Sequence, residues 1–85
     1  MIHNKEKLHA IGNYLRERFG YEWHFMDANS PEPSVIKIEG PDVLVRVTNK
    51  DFIVSSNVDD NTIARRFQTP MQVIDYIITR KFEVR

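Results

Sequence analysis

Apolar residues recur at helical spacing near both ends of the chain and alternate with polar ones between them. Leu8, Ile11, Leu15 and Phe19 follow one another at intervals of 3, 4 and 4, which is the period of one helix face. Asn4 ahead of them is a good N-cap, Arg16, Glu17 and Arg18 fall elsewhere, and Gly20 stands where a C′ glycine ends a helix. The pattern predicts an amphipathic helix over 5–19. Gly12 inside it weakens the helix by about 1 kcal/mol relative to alanine, and a close backbone approach at that point would account for it.

The period then changes to two. In "YEWHFMDA", Tyr21, Trp23 and Phe25 point one way and Glu22, His24 and Met26 the other. After the proline-bearing loop "DANSPEPS" come "VIKIE", "DVLVRVT" and "DFIVSSN", separated by the hairpin-length breaks Gly40-Pro41 and Asn49-Lys50. The first break sets Ile38 opposite Val43 and Ile36 opposite Val45. The second sets Val47 opposite Phe52 and Val45 opposite Val54. Both place Ile36, Ile38, Val43, Val45, Val47, Phe52 and Val54 on one sheet face, and a one-residue slip would scatter the set. Four-residue loops keep the same parity. An antiparallel four-stranded meander follows.

Thr69-Pro70-Met71-Gln72 reads as a helix start, with Thr69 as N-cap, proline at the first helical position and Gln72 closing a capping box. Ile74, Ile77, Ile78 and Phe82 supply the apolar stripe, and Arg80 and Lys81 lie in the last turn, where the helix dipole favours cations. Residues 62–67 fit either of two forms. A helical turn capped by Asp59 or Asp60 would align Ile63 with Phe67 and leave Arg65 and Arg66 in water. A short edge strand would put Ile63, Arg65 and Phe67 on one face. The strand is preferred, because it leads directly into the capped helix. The expectation is an α+β fold: four or five antiparallel strands with both terminal helices on the apolar face.

With 85 residues the chain makes a single domain, 1–85, with no room for a second core. There is no cysteine, which removes disulfides, thiol catalysis and cysteine-bound metal and is compatible with a reducing compartment. The chain is polar within a few residues of its start and no apolar run approaches the ~20 residues of a membrane span, so the expected location is the cytoplasm and no membrane partner is expected. Twelve basic and twelve acidic side chains cancel. Their distribution is uneven: net +2 over 1–21, −5 over 22–60 and +3 over 61–85. Helices tolerate lysine and arginine while turns collect aspartate, which explains much of this without any partner.

Candidate chemistry is sparse. His3 and His9 are too far apart for a helical ligand pair, and Ser55 and Ser56 point to opposite faces of a strand. The three glycines are scattered, so there is no phosphate loop. No catalytic, cofactor or metal site is expected, and the protein reads as a non-enzyme. Glu22, Glu39 and Asp42 with His24 would gather at one end of the sheet, an arrangement that raises a carboxyl pKa or holds a hard cation only inside a water-excluding cleft.

The second sheet face carries Met26, Val35, Leu44 and Ile53 among His24, Lys37, Arg46, Thr48 and Ser55. With both helices on the other face, this mixed surface suits a protein interface better than a catalytic one, although scattered exposed apolar groups are ordinary. The leading expectation is therefore a small interaction protein using Met26, Val35, Leu44, Arg46 and Ile53. It would bind itself as a homodimer or a larger partner as adaptor or inhibitor. Two alternatives stand beside it. Arg65, Arg66, Arg80, Lys81 and Arg85 would bind nucleic acid through phosphate contacts. Or Glu22, Glu39, Asp42, Asp59 and Asp60 would mimic nucleic acid toward a basic partner.

Overall fold

The computed structural model describes the backbone of residues 4–58 and 61–83 and the side chains of residues 4–56 and 62–79. The element order is α1 (Asn4–Phe19), β1 (Trp23–Phe25), β2 (Val35–Ile38), β3 (Val43–Val47), β4 (Phe52–Val58), β5 (Asn61–Phe67) and α2 (Pro70–Glu83). The strands form one open antiparallel sheet in the order β1-β2-β3-β4-β5. Residues 62–67 are thus strand, and the fold is α+β with five strands. The pairings Ile38↔Val43, Ile36↔Val45, Val47↔Phe52 and Val45↔Val54 are those required by a common apolar face.

Both helices lie on that face. Leu8, Ile11 and Leu15 of α1 and Val73, Ile74 and Ile77 of α2 are buried with Ile36, Ile38, Val45 and Val54 beneath them. Val73, outside the expected stripe, is fully buried, whereas Phe19 is 42% exposed and stacks on Tyr21 at the rim. Gly20 has φ +74° and its N–H donates to the Arg16 carbonyl at 2.9 Å, which ends α1 in the left-handed conformation favoured by glycine. At the start of α2 the capping box is complete. The Gln72 N–H donates to Thr69 Oγ1 at 3.2 Å, while Gln72 Oε1 accepts from the amides of Gln68 at 2.7 Å and Thr69 at 3.3 Å.

Gly12 is the contact point between α1 and β1. A Cβ there would fall inside the Trp23 indole, 2.7 Å from its Nε1. Gly40 repeats the device in the β2–β3 turn, where a Cβ would meet the Tyr21 ring, 2.7 Å from Cε1. That second close approach has no counterpart in the hydrophobic pattern.

The loop from β1 to β2 is tied by Asp27. Its carboxylate accepts from the Ser34 N–H at 2.9 Å, the Val35 N–H at 3.2 Å and the Ser34 hydroxyl at 3.3 Å. Burial pushes the Asp27 carboxyl up, but the Ser34 and Val35 amides and the Ser34 hydroxyl outweigh it and hold it below the usual carboxylate range. A depressed folded-state pKa contributes stability that is complete above the unfolded value and lost as pH falls through the folded one. Asp27→Asn should therefore flatten part of the acid limb of stability below about pH 5. Urea unfolding against pH checks this, and parallel acid limbs in wild type and variant would contradict it.

Candidate functional site

The side of the sheet away from the helices carries no covering element among the described residues. Its residues follow from the ladder. One row runs Val35, Arg46, Ile53 and Arg66, extended beyond β1 by Met26, whose N–H donates to the Val35 carbonyl at 2.9 Å. The next row runs His24, Lys37, Leu44, Ser55 and Ala64. Leu44 is diagonal to both Val35 and Ile53, at about the 7–8 Å spacing over which long side chains still touch. Met26, Val35, Leu44 and Ile53 therefore cross the sheet as an apolar band. Met26 is 53% exposed and the other three are half-buried.

Arg46 is set into this band, with Val35 and Ile53 on either side and Leu44 two residues away in its own strand. It is exposed, with no ion pair or hydrogen bond from its side chain among the described residues. An exposed arginine between apolar neighbours can cover them with its aliphatic stem, which is one reason arginine is common at interface centres. Arg66 flanks Ile53 on the other side and pairs with Asp51 at 3.2 Å. Asp51 is itself buried in the β3–β4 turn. The Thr48 hydroxyl donates to its carboxylate and does most to hold it below the usual carboxylate range; burial pushes the other way, and Arg66 and Lys50 add to the lowering.

The opposite end of the face is acidic. Glu22 and Glu39 are joined by a backbone hydrogen bond of 2.8 Å, and Asp42 follows in the β2–β3 turn with φ 58°. His24 lies 3.3 Å from Glu39 and Lys37 3.4 Å from Asp42. Glu39 and Asp42 each lie beside a basic group in water, and among the described residues no group of three or more His, Asp or Glu side chains is placed to hold a metal ion. The face thus carries carboxylates at the β2–β3 turn and, at its other end, the row in which Arg46 and Arg66 alternate with Val35 and Ile53.

The remaining basic residues are dispersed. Arg65 shares the helix side of the sheet with Ile63 and Phe67, so it and Arg66 point away from one another. Arg80 and Lys81 lie in α2 with side chains outside the described residues, as are Arg85, Asp59 and Asp60 altogether. Trp23, Phe25, Phe67 and Tyr76, the rings that would stack on bases, pack against the core.

Two hollows compete as binding sites. The larger, about 530 Å³, lies between the end of β5 and α2 and is lined by Arg66, Phe67, Gln68, Gln72, Asp75 and Tyr76. It is an open groove whose polar groups are largely engaged: Gln72 caps α2 and Arg66 is held by Asp51. The smaller, about 310 Å³, is a depression in the open sheet face lined by Met26, Lys37, Asp42, Leu44, Ser55 and Thr62. It includes Met26 and Leu44 of the apolar band, which makes it the better candidate.

The expected face residues Met26, Val35, Leu44, Arg46 and Ile53 are all brought together here. Arg66, Ala64 and Thr62 extend the face into β5 and were not among them; pairing Ile53 with Arg66 needs the fifth strand first. Among the described residues no helix is long and apolar enough to cross a membrane. Comparison with known proteins finds no matching family model, no similar curated protein and no similar solved structure.

Proposed function

We propose that this is a non-enzymatic protein of the cytoplasm that acts by protein–protein contact through its open sheet face. The supporting observation is the one-sided fold: both helices cover one face, and the other presents the Met26–Val35–Leu44–Ile53 band with Arg46 set into it. Sheet faces left bare in this way are normally polar; a contiguous apolar band ringed by charges is the composition of a contact surface. The cytoplasmic assignment draws on the absence of cysteine.

Leu44→Asp and Ile53→Asp test this reading. Both residues are half-buried, so each variant should remain folded, with a stability loss of about 1 kcal/mol. Each places a charge in the apolar band and should abolish association, read as solution mass across concentration and as capture of bound protein from lysate. Association unchanged in both variants, with their circular dichroism native, would sink the sheet-face reading.

A further inference from the structure

We infer that the β5 edge of the sheet takes an extended acidic segment of another protein as a sixth strand, antiparallel to β5, with an apolar side chain seated between β5 and α2. This surface is separate from the open sheet face, and neither reading depends on the other. The sheet has two edges. β1 is three residues long, a length at which an edge offers little to pair with, whereas β5 runs for seven and no further strand lies beyond it among the described residues. Its register with β4 is unbroken from Phe52↔Phe67 to Val58↔Asn61 and it holds no proline, so neither a bulge nor a missing donor blunts it. The backbone phase follows from the β3–β4 turn. The Thr48 N–H donates to the Asp51 carbonyl at 2.8 Å, so Ile53 and Ser55 bond toward β3 while Phe52 and Val54 bond toward β5. Phe67 and Arg65 are therefore bonded to β4, and the N–H and C=O of Ala64 and Arg66 point away from the sheet. An antiparallel strand added there bonds to Ala64 and Arg66. Its residues opposite Arg65 and Phe67 fall in the non-hydrogen-bonded pairing, where side chains stand closest.

The side chains select the occupant. Arg65 and Phe67 lie on the helix side of the sheet, so the residues facing them lie there too. Arg65 is exposed, and its side chain has no ion pair or hydrogen bond among the described residues. A carboxylate is its complement. Beside Phe67 lies the groove of about 530 Å³, walled on the α2 side by Gln72, Asp75, Tyr76 and Thr79. The Phe67 and Tyr76 rings, 5.0 Å apart, give it an apolar floor, and Gln72 is engaged in the α2 cap. Such a groove suits a large apolar side chain. The segment therefore carries an apolar residue opposite Phe67 and, two residues later in the antiparallel direction, aspartate or glutamate opposite Arg65. A second copy of this chain does not meet that need through β5. The strand reads NTIARRF, with two arginines and no acid, so pairing β5 with itself sets both arginines against neutral or basic residues in every register.

Fluorescence anisotropy on the full chain tests it. The probe is a labelled, threonine- and serine-rich peptide carrying phenylalanine and, two residues later, glutamate. It should bind with a dissociation constant in the micromolar range, about tenfold tighter than the same peptide with lysine in place of glutamate. Arg65→Glu, a change at an exposed position, should reverse that preference. Ala64→Pro removes an outward N–H while leaving the β4 ladder whole, so it should weaken both peptides about tenfold or more. Its folding is checked by circular dichroism, and if it is unfolded the reversal in Arg65→Glu carries the test. Leu44→Asp should bind the peptide as wild type does, which separates this edge from the open sheet face. No binding of the glutamate peptide up to ~1 mM, no reversal in Arg65→Glu, undiminished binding to a folded Ala64→Pro, or binding lost in a folded Leu44→Asp overturns the inference. A dimer of the chain alone, seen by sedimentation and abolished by Ala64→Pro, overturns it in favour of a second copy.

Discussion

Gly12→Ala is expected to lower stability by about 2 kcal/mol, in the direction opposite to helix propensity. Alanine in place of an interior helical glycine is worth about 1 kcal/mol in favour of the variant. Here the added methyl meets the Trp23 indole, which is pinned between α1 and Phe25, with the ring of His9 at its edge 5.1 Å away. Relief needs a shift of α1 or an off-rotamer tryptophan, and either exceeds the propensity gain. In a domain of this size such a loss corresponds to a melting point lower by roughly 8–16 °C. Trp23→Leu in the same chain should return part of it, so a double-mutant cycle read by thermal melting should show coupling between the two positions. A Gly12→Ala variant that melts higher than wild type would show that α1 does not seat on Trp23 in this way.

The second large effect separates two adjacent residues. Ile36 is fully buried under α1, whereas Val35 faces the open side and is half-buried. Ile36→Ala removes core volume that its neighbours cannot refill and should destabilise by about 2–5 kcal/mol. Val35→Ala should lose about 1 kcal/mol or less. Against a total stability of about 5–15 kcal/mol for a typical domain, the first variant approaches unfolding and the second is nearly silent. Urea denaturation gives both numbers. Equal losses would mean that the open face is covered as deeply as the helix side.

The sheet register was legible because three strands had to agree on one face, and Ile36, Val45 and Val54 satisfy both hairpins at once. The α2 start was legible because Thr69, Pro70 and Gln72 each answer a separate need of a helix N-terminus. Gly12 was legible as an anomaly, a residue that weakens its own element unless something comes close. Gly40 was not, since glycine in a turn is expected for its backbone alone and the Tyr21 ring above it is a tertiary fact. Asp27 reaches amides 7 and 8 residues away, a bond that periodicity does not encode. The site was readable as a row of residues, because Val35, Arg46 and Ile53 follow from register. Its electrostatics were not, because they depend on which cations are already taken. Arg66 is held by Asp51 and Lys37 by Asp42, leaving Arg46 as the unpaired cation among the residues of the apolar band.

The open sheet face is read most directly by methyl NMR with a soluble gadolinium chelate as an accessibility probe. In dilute protein the methyls of Met26, Val35, Leu44 and Ile53 should be attenuated, while those of Ile36, Val45 and Val54 stay protected. Exposed Met71 on α2 should be attenuated too and serves as the control. Methyls of Leu44 and Ile53 as protected in dilute protein as those of Ile36 and Val45 would contradict an open sheet face.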